Sequence, residues 1–112
     1  KLTDQDLAAA ERRIADFALE SKATAEPFDA VVMATVACAS FPHGERHPYH
    51  IADLTAIAIA IATAAGAPAA SLALTAGAES LPIGLQVVCR PGTDLRVCQL
   101  AAAIELELQR AH

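Results

Sequence analysis

The stretch "SLPIGLQVVCRPGTDLRV", residues 80–97, constrains this chain more than any other. Pro82 has no backbone N–H to give a sheet, so it belongs at the entry of a strand rather than inside one. "IGLQVVC" (83–89) follows as a short apolar run of strand type, weakened near its start by Gly84. Pro91-Gly92 then stops the strand and turns the chain, and Thr93 is placed to cap a helix opening with Asp94. A returning strand that turns sharply into a capped helix therefore organises the C-terminal part of the chain.

The other segments arrange themselves around that unit. "AASLALT" (69–75) is a second strand-like run, and the intervening "AGAESLP" fits a hairpin with a longer loop. Residues 94–110 place Val97, Ala101, Ile104 and Leu108 on one helical stripe with Leu100 beside it. Asp94 at the positive end and Arg110 at the negative end suit the helix dipole. Residues 3–23 form an amphipathic helix on the same grounds: Leu7, Ala10, Ile14, Phe17 and Ser21 share a face that Glu11, Arg12, Arg13 and Asp16 avoid. Thr3 and Asp6 have capping-box spacing, with Asp in place of the usual Glu or Gln, and Pro27 ends the segment. "FDAVVMATVA" (28–37) reads as a strand whose consecutive Val31, Val32 and Met33 predict cover on both faces. In "IADLTAIAIAIATAAGAP" (51–68), Ile57, Ile59 and Ile61 alternate with alanine as a strand would. Length, alanine content and the Gly66 stop favour a helix, and one apolar on most sides must be enclosed. The resulting order is helix, strand, long loop, helix, strand, strand, helix, which predicts an α/β fold with a mixed β-sheet flanked by helices.

Composition sharpens the picture. The 112 residues are 54% hydrophobic, but much of that is alanine, which buries little area, and the aromatic anchors are only Phe17, Phe28, Phe41 and Tyr49. Such a core suits a chain whose apolar surface is finished by more protein, and Lys1 at the start, in place of Met, suggests a trimmed chain. The net charge of −5 and the lack of any Lys/Arg block argue against nucleic acid or an anionic membrane as partner. No uninterrupted apolar run reaches the roughly 18 residues of a membrane span. Cys38, Cys89 and Cys98 form no Cys-x-x-Cys pair and read as reduced thiols of a cytoplasmic protein.

Candidate chemistry is sparse. The loop "CASFPHGERHPYH" (38–50) is long enough to be functional or mobile. His43, His47, His50 and Glu45 are residue types that zinc accepts, yet Gly44 and Pro48 break helical register and no cysteine has standard spacing. No metal site is therefore expected, and no cofactor. Asp29 reads as a turn carboxylate at a strand entry, and Cys38 and Cys89 as small buried hydrophobes. The lysines are Lys1 and Lys22, and the serines Ser21, Ser40, Ser71 and Ser80. Ser21 and Lys22 are neighbours, but adjacent helical side chains point apart. No catalytic residue is assigned.

The block "LPIGLQVVCRP" (81–91) resembles the C-terminal part of the amidase signature family, whose members commonly carry Leu-Pro-x-Gly-Leu-Gln, two apolar residues, a Gly and then a Pro. Cys89 stands where that family usually has glycine. "EPFDAVVMAT" (26–35) resembles the family's Tyr-Asp-x-Leu-Leu-Thr-Pro-Thr strand through Phe28-Asp29, with Met33-Ala34 replacing Thr-Pro. "ATAAGAPAASLAL" (62–74) resembles its Gly-Leu-Pro-Ala-Ile-Ser segment through Gly66, Pro68, Ala69 and Ser71. The resemblance implies that residues 1–112 are one unit, the C-terminal segment of a serine amidohydrolase. Its Ser-Ser-Lys catalytic half, absent from this chain, would be the main partner. A small-molecule amide is the implied substrate, and a homo-oligomer is compatible with it. From position, Thr35, Phe41 and His43 would contribute a substrate-pocket wall. The competing expectation is a non-catalytic fragment or interaction module that keeps only part of the fold.

Overall fold

The computed structural model describes residues 1–36, 43–44, 60–75 and 81–111. They form helix α1 (Asp4–Ala25), strand β1 (Val31–Ala34), a single π-helical turn (Ala60–Ala64), strands β2 (Ala69–Leu74) and β3 (Ile83–Val88), and helix α2 (Asp94–Arg110).

β3 is the central strand, in the order β1-β3-β2. Its register sets Val88 opposite both Val31 and Ala69, and Leu85 opposite both Ala34 and Leu72. The expected hairpin arms, β2 and β3, are thus paired. The expected mixed sheet is not seen: both pairings among the described strands are antiparallel. β1 and β2 do run the same way, but β3 lies between them, so no parallel ladder forms.

Alternation along the strands separates two faces. Val87 is fully buried and clusters with Cys89 and Val97, with Ala30, Ala70, Leu72, Leu100 and Ile104 packed around them. α2 supplies the predicted stripe, burying Val97 and Ala101 and half-burying Leu100, Ile104 and Leu108. Because α2 packs over β2 and β3, β1 is left bare on that face, and Val32 is 51% exposed. The expectation that Val31, Val32 and Met33 are covered on both sides is therefore corrected: the described structure covers them on one.

The turn into α2 also departs from expectation. Thr93 precedes the helix but makes no side-chain cap; its backbone has φ −112° and ψ 44°, and its hydroxyl instead donates to the Arg90 carbonyl at 2.6 Å. The reverse turn through Pro91-Gly92 draws Thr93 back on itself, so the hydroxyl is spent on the turn rather than on the first helical amides.

α1 starts as its capping box requires. Thr3 Oγ1 accepts from the Asp6 amide at 3.2 Å, and the Asp6 carboxylate accepts from the Thr3 amide at 2.8 Å and hydroxyl at 2.7 Å. The helix buries no residue, and Leu7, Ile14 and Leu19 are all more than half exposed. Its apolar stripe is formed but open at Leu7 and Ile14, and only towards its end, at the half-buried Ser21, does it meet the rest of the described structure. Of the helix expected over 51–68, residues 51–59 lie outside the described residues. Its end is the π-helical turn, closed by the Ala67 amide on the Ala62 carbonyl at 2.8 Å, and Gly66 leaves it at φ 61°. In the loop expected over 38–50, only residues 43–44 are described.

The cap gives α1 an acid dependence. Hydrogen bonds from the Thr3 hydroxyl and amide hold the Asp6 carboxyl below its ordinary range. A carboxyl lowered in the folded state contributes stability above its unfolded pKa, about 3.9, which is lost as pH falls through the folded value. Circular dichroism should show helix signal falling below about pH 4. Thr3→Ala should shrink that step, and superimposable acid titrations of the two proteins would refute the cap's role.

Candidate functional site at the end of strand β1

Of the three residues expected to line a pocket, Thr35 has the most defined surroundings. β1 ends at Ala34 and the chain bends at Thr35, while the Thr35 amide still bonds the Gly84 carbonyl at 2.8 Å. The bend carries its side chain across the central strand, so that Thr35 Oγ1 lies 2.5 Å from Ser71 Oγ. Thr35 is half-buried and Ser71 exposed.

This crossing is possible because residue 84 is glycine. A Cβ placed there would stand 2.5 Å from Thr35 Oγ1, 2.7 Å from Thr35 Cβ and 3.2 Å from Ser71 Oγ. The strand interior gives up a side chain so that another residue's can lie over it. Ser71 is opposite Gln86 in the register, and Gln86 is buried at 6% exposure, so these polar residues share the sheet face turned away from α2. Met33, also opposite Gln86, and the Val31–Val88 pair supply its apolar part.

His43 is exposed in a turn with Gly44, whose φ is 84°; Phe41 lies outside the described residues, as do His47, His50 and Glu45. Among the described residues no hydrogen bond or ion pair joins Thr35 to His43. The structure adds Ser71 and Gly84, which sequence reasoning had not assigned to a site. An isolated glycine inside a strand pattern was the available signal, since it marks either a bulge or a close backbone approach; which one depends on the bend at Thr35.

At the other end of β1, a cavity of about 210 Å³ opens between α1 and the sheet, lined by Ser21, Lys22, Phe28, Val31, Val88 and Cys89 among others. Ser21 and Lys22 occupy consecutive positions on α1, where side chains diverge by about 100°. Cys89 is a free thiol at 4% exposure, and burial pushes its pKa up, which suits a packed hydrophobe and opposes thiolate chemistry. Cys98 is free and exposed, and Cys38 lies outside the described residues. Asp29 stands 3.8 Å from Arg90 with both side chains more than half exposed, an ion pair of little energetic weight. Among the described residues no group of three His, Cys, Asp or Glu is arranged for a metal, and no helix is long and apolar enough to cross a membrane.

Two outcomes test this geometry. Gly84→Ala should destabilise the fold by about 1–3 kcal/mol, as overpacking does, read as a lower urea midpoint. An unchanged midpoint would mean that Thr35 does not lie over the strand. In a Cys38→Ser background, a thiol-titrating disulfide should modify Cys98 quickly and Cys89 only on unfolding; rapid native reaction of both would contradict the burial of Cys89.

Comparison with known proteins supplies the remaining finding. No curated protein and no solved structure matches the chain. The family model Amidase matches residues 2–98, a span that takes in α1, all three strands and the start of α2. With the match running from the first helix through the Gly84 strand and its turn, the chain belongs to the amidase family.

Proposed function

We propose that this chain is the C-terminal part of an amidase that hydrolyses carboxylic amide C–N bonds through an acyl-serine intermediate, contributing part of the sheet and one pocket wall. The observation that carries the reading is the family match over residues 2–98. The amidase signature fold, with further strands making its sheet larger and mixed, is part of the same proposal.

The chemistry asks for groups of three kinds. A serine hydroxyl must lose its proton as it attacks the amide carbonyl; a lysine kept neutral by desolvation can begin that relay; and backbone amides must meet the developing oxyanion. In this chain Lys22 is exposed on α1, no hydrogen bond joins it to Ser21, and the sequence holds no Gly-Gly-Ser-Ser-Gly-Gly-like run. The nucleophile, the bridging serine and the lysine are therefore assigned to the N-terminal remainder of the enzyme. Thr35, His43 and Phe41 are assigned to the pocket wall, with Thr35 the best supported because it is held in place by Gly84 and Ser71. The exposed apolar residues of α1 and the bare face of β1 fit a segment that packs against more of its own enzyme.

The test is a carboxamide hydrolysis screen of the gene's full-length product, combined with a fluorophosphonate probe and mass-spectrometric mapping of the labelled serine. Hydrolysis with labelling at a serine outside residues 1–112 is the expected result. Labelling at Ser21, Ser40, Ser71 or Ser80, or turnover by the 112-residue chain alone, would overturn the reading.

A further inference from the structure

On the sheet face away from α2, the contact between Thr35 and Ser71 joins the two outer strands across the central one. Two hydroxyls in contact use one proton between them: one oxygen donates, and the other accepts while keeping its own O–H for a third partner. Lone pairs are left over on both. Either atom can be the donor in this pair, so rotation of the two hydroxyls lets it offer a donor or an acceptor outward. Ser71 is exposed and Thr35 half-buried, so the pair is reachable from outside.

The surroundings resemble a binding wall more than a solvated edge. The half-buried Val31 and Met33 lie on the same face, and Val88 and Gln86 beneath them are buried. A few fixed polar groups on a mainly apolar surface are how small-molecule sites set orientation. The arrangement also costs the strand something, because glycine in a strand interior gives up packing and backbone order. A purely structural clasp needs no reachable hydroxyl; this one has a side open.

We infer that the Thr35–Ser71 hydroxyl pair, seated over Gly84, is a specificity contact for a hydrogen-bonding group of the ligand other than its scissile amide. The preferred ligands are carboxamides carrying a second polar group, such as a hydroxyl, over carboxamides with only alkyl substituents. The inference rests on the amidase reading above. Thr35 and Ser71 are positioning residues, with no part in bond making.

Calorimetric titration of the full-length protein tests it with hydroxyalkanamides of increasing chain length, each against the alkanamide in which a methyl replaces the hydroxyl. At least one hydroxyalkanamide should bind about tenfold more tightly than its methyl isostere, the scale of one neutral hydrogen bond. Thr35→Val and Ser71→Ala should each bring that ratio close to one, and Thr35→Ser, which keeps the hydroxyl, should preserve it even if the valine variant folds poorly. A ratio of one throughout the series in the unaltered protein would overturn the inference, and so would a ratio that survives both substitutions. Equal weakening of both ligands in a variant would reduce the pair to a clasp. Discrimination without hydrolysis would sink the amidase reading alone, and hydrolysis without discrimination would sink this inference alone.

Discussion

Two-sided pairing of β3 is the constraint from which the rest follows. A strand bonded on both edges has its backbone groups satisfied by the ladders, leaving its side chains to decide what covers each face. Val87 points to one face and is closed over by α2; Val88 and Gln86 point to the other and are buried there too. No other described strand is so enclosed. β1 has a bare Val32, which α2 does not reach, and β2 an exposed Ser71, which faces away from α2 at the edge of the sheet.

That geometry also makes the site. An outer strand that merely ended would leave Thr35 at an edge. Here the Thr35 side chain lies over the central strand, and the missing side chain at residue 84 lets it come within hydrogen-bond range of the far strand. One atom's worth of space thus links three strands on the face that α2 leaves open. Cys89, just past the end of the same strand, shows the opposite solution on the α2 side, where a small side chain fills the space and burial pushes the thiol's pKa up.

The locally specified elements were the legible ones. The 3.6-residue stripe of α2, the capping box of α1 and the strand between Pro82 and Pro91 could be read because each is a local pattern whose physics acts over a few residues. The errors arose where a distant element decides. Three consecutive apolar residues in β1 suggested cover on both faces, but cover depends on where α2 lies. Thr93 had the right type for a cap, yet its hydroxyl was taken by the carbonyl of Arg90, which the Pro91-Gly92 turn brings back to it.

By itself, the sequence determined the two described α-helices, the positions of the three described strands and the family, since periodicity, proline, glycine and motif blocks are carried by neighbouring residues. Only the tertiary structure decided that Thr35 meets Ser71 and that Gly84 must lack a side chain for them to do so. Thirty-six residues separate the two hydroxyls along the chain, and no local rule specifies which strand will lie between them.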